Sequence, residues 1–166
     1  MRPLFIIHLV LMSLVSFPIW GLSEFDLVKR EGLYYKKFSS VPFTGEFDGV
    51  WDYFYVKGFI KNGRKEGSWE SYHDNGQLYY IGTYKDGKRE GPWSFYYENG
   101  RLNYRDNYKN GKRNGFSETF WDNGQLRREG YLKNNEWEGF WKSYYKDGSV
   151  WEDETGTYKN GVKVSD

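Results

Sequence analysis

From residue 58 onward, apolar and polar positions alternate with a period of two. Trp93, Phe95 and Tyr97 alternate with Ser94 and Tyr96, and Leu78, Tyr80, Gly82 and Tyr84 with Tyr79, Ile81 and Thr83. A period of two puts alternate side chains on opposite faces of a strand, whereas a helix would need 3.6. The alternating runs are separated by Asn62-Gly63, Asn75-Gly76, Asp86-Gly87, Asn99-Gly100, Asn110-Gly111, Asn123-Gly124 and Asp147-Gly148. Such pairs tolerate positive φ and close tight hairpins. The pattern predicts strands of about 7–9 residues in one long antiparallel meander.

The meander repeats. Residues 58–81, 82–105 and 106–129 align with a period of 24, and a fourth copy from Gly130 carries two extra residues after Gly148. A fifth starts at Gly156 and stops after Gly161. One glycine column is Gly67, Gly91, Gly115, Gly139, and a second is Gly76, Gly100, Gly124, Gly148. The first should need positive φ or close approach of a ring. A ring column is Trp69, Trp93, Trp141, with Ser117 in the third copy. Three residues on stand Tyr72, Tyr96, Phe120, Tyr144, and Leu78, Leu102, Leu126, Val150 form an aliphatic column. A mid-strand glycine such as Gly82 should lie under a ring of the neighbouring strand. One copy cannot bury a face alone, so neighbours must stack. The fold class is therefore all-β: an elongated antiparallel β-hairpin repeat array of about four 24-residue repeats plus caps. Residues 58–155 hold the four copies. Residues 24–57 read as an N-terminal cap with a degenerate copy (GLYYKKFSSVPFTGEF), and 156–166 as a C-terminal cap.

Residues 1–23 differ in kind. A short cationic start precedes an apolar run from Leu4 to Phe17, and Gly21 and Ser23 occupy the −3 and −1 positions of a cut after Ser23. This is the pattern of a secretory signal peptide, so the expected location is secreted or periplasmic. The alternative is an uncleaved membrane anchor; a lipid-modified Cys at the junction is excluded, because the chain has no Cys.

Composition narrows the chemistry. The chain of 166 residues has 36 aromatics, 20 Gly and no Ala. Few aliphatics remain, so the core must be built of rings. With Arg2 removed with the leader, basic and acidic residues balance at 23 each. That argues against nucleic-acid binding, which needs a basic excess. The absence of Cys and the presence of only His8 and His73 argue against a metal centre, a catalytic triad and a bound cofactor. GTYKDGKR resembles a phosphate-binding loop, but Arg89 stands where Ser or Thr must hold Mg²⁺. Asp74, Asp86, Asp122 and Asp147 read as turn residues, Glu70 and Glu118 as a solvated face, and His73 as one more ring in the column of Tyr97, Trp121 and Tyr145. No enzyme is indicated.

What remains is binding. One edge is basic at its turns: Lys61, Arg64, Lys65, then Lys85, Lys88, Arg89, then Lys109, Lys112, Arg113, with Glu66, Glu90 and Glu138 close by. The Tyr72, Tyr96, Phe120, Tyr144 column shares its face with Glu70, Ser94, Glu118 and Lys142, so it should be the less covered one. The Trp69 and Trp93 column, with Phe95, Tyr97 and Trp121, should be core. Exposed rings on a rigid sheet make protein hot spots or sugar platforms. The candidate partner-binding residues are Tyr72, Tyr96, Phe120, Tyr144, Lys85, Lys88, Arg89, Lys109, Lys112 and Arg113. The expected partner is a protein, with cell-wall glycan or anionic lipid head groups as alternatives.

The units KNGRKEGSWESYHDNGQL, KDGKREGPWSFYYENGRL and KNGKRNGFSETFWDNGQL resemble the MORN repeat. They are more similar still to its bacterial variant, found in proteins catalogued as a family of toxin–antitoxin system antitoxins. The likeness covers residues 58–161 and the opening at 27–47. It implies an elongated hairpin array that binds proteins or, in some relatives, lipid head groups, with no catalytic residue. Ser117, Asp106 and Asn135 depart from the pattern and predict local irregularity in the third and fourth copies.

Overall fold

The computed structural model describes residues 26–166; the proposed leader, residues 1–23, lies outside them. The strands are β1 (Leu27–Arg30), β2 (Leu33–Lys36), β3 (Gly45–Trp51), β4 (Phe54–Lys61), β5 (Arg64–Tyr72), β6 (Leu78–Lys85), β7 (Lys88–Tyr96), β8 (Leu102–Lys109), β9 (Lys112–Arg113), β10 (Gly115–Phe120), β11 (Leu126–Lys133), β12 (Glu136–Ser143), β13 (Gly156–Lys159) and β14 (Val162–Ser165). β1 and β2 form a separate hairpin, and the others make one 12-stranded sheet in order β14-β13-β12-β11-β10-β8-β7-β6-β5-β4-β3, with β9 on β8. Every pairing is antiparallel, and all but that of β8 with β10 join chain neighbours. The described residues are all-β, as the alternation and turn pairs predict.

The sheet already begins at Gly45, inside the cap segment, and β4 runs through residue 57 into the first copy. The β1–β2 hairpin docks on the first repeat turn: Tyr34 N donates to Gly63 O (2.9 Å) and Gly63 N to Phe43 O (2.7 Å).

A single row crosses the sheet. Phe47 pairs with Gly58, Trp69 with Gly82, Gly82 with Trp93, Trp93 with Asp106, Ser117 with Gly130, and Trp141 with Gly156. Glycine and ring alternate because the ring lies flat on the bare backbone. A Cβ on Gly82 would sit 2.1 Å from the Trp93 ring, and Gly58 and Gly130 stand likewise to Trp69 and Trp141. All three Trp are buried, and their indole N–H groups donate to backbone carbonyls of Phe59, Thr83 and Tyr131.

Two bulges per copy bend the strands. At the first, β7 spends Gly91 and Pro92 while β6 moves directly from Gly82 to Thr83. Pro92 is tolerated there because a bulge leaves its missing N–H without consequence. Gly67, Gly91 and Gly139 have φ near +70°, with open space where a Cβ would stand. This column is therefore glycine for backbone conformation, and Gly82 for ring approach.

The irregular copies are visible. In the third, Asn114 breaks the strand into β9 and β10, and the Trp–Gly pair becomes Ser117 and Asp106, whose side chains bond at 2.6 Å in the interior. In the fourth, the expected strand after the turn is reduced to one bridge, Tyr144 to Val150, followed by a turn at 152–154. The two extra residues there prevent a continuous ladder.

Candidate interaction surface

The antiparallel meander places alternate turns on opposite edges. One edge carries the turns at Asn62-Gly63, Asp86-Gly87 and Asn110-Gly111, and the other those at Asn75-Gly76, Asn99-Gly100 and Asn123-Gly124.

At the first edge, like charges face each other directly: Lys61 pairs with Arg64, Lys85 with Lys88, and Lys109 with Lys112. All six are exposed, and none has an ion pair among the described residues. Successive turns are two strands apart, about 10 Å. The nearby acids do not neutralise them. Glu66 Oε2 accepts from Asp86 N (2.8 Å), Glu90 Oε2 from Asn110 N (2.8 Å), and Glu138 Oε2 from Asn160 N (3.1 Å). Each Glu is thus a clasp on the next copy's turn. Asn114 fills that column in the third copy, and there Asn135 Oδ1 accepts instead from Arg113 N (2.8 Å).

The second cation of each turn is not at the edge. Lys65 Nζ lies 4.1 Å from the Trp69 ring centroid, 4.5 Å from that of Trp51 and 5.3 Å from that of Tyr84. Burial, then the neighbouring Arg89 charge, lower its pKa to about 8, against the opposing pull of Asp52. Arg89 lies 4.5 Å from the Trp93 centroid and donates to the Tyr108 hydroxyl at 3.0 Å. Arg113 Nη1 stands 3.8 Å from the Asp106 carboxylate. In the fourth copy the same column holds Trp137, stacked on Trp141 with centroids 4.1 Å apart. The exchange of cation for Trp within one column is the sequence signal that these cations cover a ring. A cleft of about 350 Å³ separates the β1–β2 hairpin from the first two turns, lined by Lys29, Arg64, Lys65 and Lys88, with Tyr84 and Asp86.

The ring columns also have definite places. Tyr72, Tyr96, Phe120 and Tyr144 lie on the face away from the Trp row and are half-buried. Tyr72 donates to Glu70 (2.5 Å) and Tyr144 to Glu129 (3.0 Å). On that same face the more exposed rings are Phe59 (38%), Phe116 (38%), Tyr131 (60%) and Phe140 (57%), at bulges or, for Phe116, beside the break between β9 and β10. Their exposure follows from the bulge or the break, which alternation alone does not reveal.

His73, Tyr97 and Trp121 are not core, contrary to the alternation for the latter two. β5 and β7 end one residue earlier, so these side chains turn outward along the array. His73 Nε2 donates to Tyr96 O (2.9 Å), Tyr97 Oη to Phe120 O (2.8 Å), and Trp121 Nε1 to Tyr144 O (3.1 Å). Asn75, Asn99 and Asn123 add amide bonds to the carbonyls of Glu98, Asp122 and Lys146. Each copy is thereby latched to the next along the Asn-Gly edge. That edge also carries Asp74, Glu98 and Asp122, so its charge opposes that of the other.

Among the described residues no three His, Asp or Glu side chains converge on a metal site, and no helix is long and apolar enough to cross a membrane.

Three stretches, residues 65–86, 89–110 and 113–134, match the MORN repeat variant. Their spacing is the 24-residue period, and the match ends at residue 134, five residues into the irregular fourth copy. Repeats of this kind are generally modules of protein or membrane interaction. No curated protein matches the chain.

Proposed function

We propose that this is an exported, non-catalytic repeat protein whose basic turn edge docks an acidic protein surface, with half-buried rings of the Tyr72 and Tyr96 column supporting the contact. One observation carries the reading. Like charges directly opposed on paired strands are destabilising, yet three consecutive turns repeat the arrangement without compensating ion pairs. A pattern that costs stability three times over is explained by a partner that supplies the missing anions. The six cations, at about 10 Å steps, form a comb that a row of carboxylates would satisfy. Export rests on the leader pattern of residues 1–23, and kinship with the antitoxin group on the resemblance of the repeats alone.

The test reverses Lys85, Lys88, Lys109 and Lys112 to Glu together. Envelope proteins captured by the wild type should be lost by the variant, and by the wild type at high salt, where exposed charges are screened. Identical capture by both sinks the reading. In parallel, sedimentation with purified cell walls and with anionic vesicles tests the alternatives. Retention on either, without a captured protein, would replace the acidic protein by a glycan or a lipid surface. Mass spectrometry of the secreted chain decides the cut: a mass starting at Glu24 is expected, and a membrane-bound chain retaining Met1 excludes it.

A further inference from the structure

The Asn-Gly edge holds a ladder of stacked pairs with one member missing. In three of the four copies, the ring before the turn meets the residue that follows the first strand position after it. Tyr79 packs on His73, with centroids 4.9 Å apart. Arg127 lays its guanidinium 4.3 Å from the Trp121 centroid. Trp151 stacks on Tyr145 at 5.2 Å and 21°. In the second copy that residue is Asn103, too short to cover a ring, and Tyr97 has no ring or cation partner among the described residues.

The gap is a groove of about 470 Å³ lined by His73, Tyr79, Tyr97 and Asn103, with Glu98 and Asp122 at its rim. Tyr97 is held in place, because its hydroxyl already donates to Phe120 O. The Glu98 carboxylate, the Asn103 amide and the Tyr79 hydroxyl have no hydrogen bond among the described residues. Asp122 is paired with Lys146 at 2.5 Å, and Arg101 Nη1 donates to the Asp122 carbonyl at 3.1 Å, so both nearby cations are engaged at the outer rim.

We infer that this groove receives an arginine side chain of the protein partner, its guanidinium stacked on Tyr97 and paired with Glu98. The chain shows the geometry itself one copy further on, where Arg127 covers Trp121. A planar cation gains from the ring face and from a free carboxylate able to accept a charge-assisted bond. A neutral sugar ring would use the aromatic face and leave the acidic rim without a counter-charge. The inference rests on the protein-partner reading above, but concerns the opposite edge of the sheet.

The probe is acetyl-Gly-Arg-Gly-amide, titrated into the full chain while the Tyr97 ring and Asn103 amide signals are followed by NMR. Saturable shifts are expected, and the citrulline analogue, alike in shape but uncharged, should bind more weakly by about tenfold. Glu98→Gln should weaken binding, and Tyr97→Ala abolish it. Asn103→Arg should fill the groove from within, removing probe binding while the melting temperature holds or rises. That variant keeps the test decisive if Tyr97→Ala is poorly folded. Equal binding of arginine and citrulline peptides, tighter binding of N-acetylglucosamine at the same signals, or Tyr97 signals unmoved by Asn103→Arg would each overturn the inference. Reversal of the lysine edge should leave this titration unchanged. If the peptide fails to bind while edge reversal still abolishes partner capture, the groove assignment falls and the edge reading stands.

Discussion

The Ser117 hydroxyl donates to the Asp106 carboxylate, at 2.6 Å, where the other copies lay a Trp ring on a glycine. The two departures compensate each other. A Trp at 117 would meet the Asp106 side chain as a Cβ on Gly82 would meet Trp93, and a glycine at 106 would leave Ser117 without its partner. Ser117→Trp and Asp106→Gly should each destabilise alone, while the double variant restores the Trp–Gly pair. The coupling should be about 1–3 kcal/mol in a denaturant double-mutant cycle; additive effects would show that the sites are independent.

The same carboxylate should leave a pH signature. Burial raises the Asp106 pKa, outweighing the Ser117 bond and the Arg113 and Arg89 charges. A raised folded-state pKa means that the folded chain holds its proton longer. The stabilising contribution is complete below the ordinary carboxylate range and is lost as pH rises through the raised value. Asp106→Asn should remove this loss, so its stability relative to wild type should improve from acid to neutral pH. Parallel curves over that range would refute the assignment.

Two kinds of glycine should respond differently to substitution. Gly91 has φ +68° with open space around it, so Gly91→Ala costs backbone strain alone, about 1–2 kcal/mol, and Gly91→Asn should recover part of it. Gly82 has ordinary φ but a ring where a Cβ would be, so Gly82→Asn should recover nothing, and Trp93→Ala should absorb the extra methyl. Thermal melts of the single and paired variants separate the two mechanisms.

The period, the turns and the ring-on-glycine pairing were legible because each leaves a residue type that nothing else explains: Asn-Gly at the hairpins, Gly82 mid-strand, Trp93 opposite it. The site was less legible. Lys65 and Arg89 look like edge cations because they adjoin a turn, yet strand parity puts them on the Trp face, where a long stem folds its charge over a ring. Tyr97 and Trp121 follow the alternation of the Trp face in sequence, but the strand ends just before them. Glu66 and Glu90 bind a backbone N–H of the next copy, a partner that charge patterns cannot reveal.

Truncating the rings should distinguish the faces. Trp93 is fully buried, so Trp93→Ala should cost about 3–5 kcal/mol. Tyr96 is half-buried on the other face and its hydroxyl has no partner among the described residues. Tyr96→Ala should lower stability far less and weaken partner capture. A Tyr96→Ala chain that melts as low as Trp93→Ala would remove this ring from the docking surface.

Lys65 should titrate unusually low. Its amine, lowered to about 8 by burial and then by the Arg89 charge, should be seen near that value by NMR, and Arg89→Met should raise it. Because the folded chain releases this proton earlier than the unfolded one, stability should rise with pH above about 8 towards the ordinary lysine range. Lys65→Met should flatten that rise. An ordinary lysine titration would mean that the amine is solvated and not held among the rings.

Deleting one whole copy should be better tolerated than deleting half of one. Removal of residues 82–105 joins Ile81 to Asp106 and preserves every contact between copies in kind. Trp69 then pairs with Asp106 as Trp93 does now. Glu66 replaces Glu90 as the clasp on Asn110 N, Asn75 replaces Asn99 on the Asp122 carbonyl, and His73 replaces Tyr97 on Phe120 O. Removal of 12 residues takes out one strand, reverses those that follow and exchanges the two edges, so no clasp or latch finds its counterpart. Arrays of this kind draw stability from nearest-neighbour interfaces. The 24-residue deletion should therefore fold with a lower denaturant m-value in proportion to its length, and the 12-residue deletion should lose cooperative melting. A cooperative melt from the half-copy deletion beside an unfolded whole-copy deletion would show that the hairpin pair is not the unit of this structure.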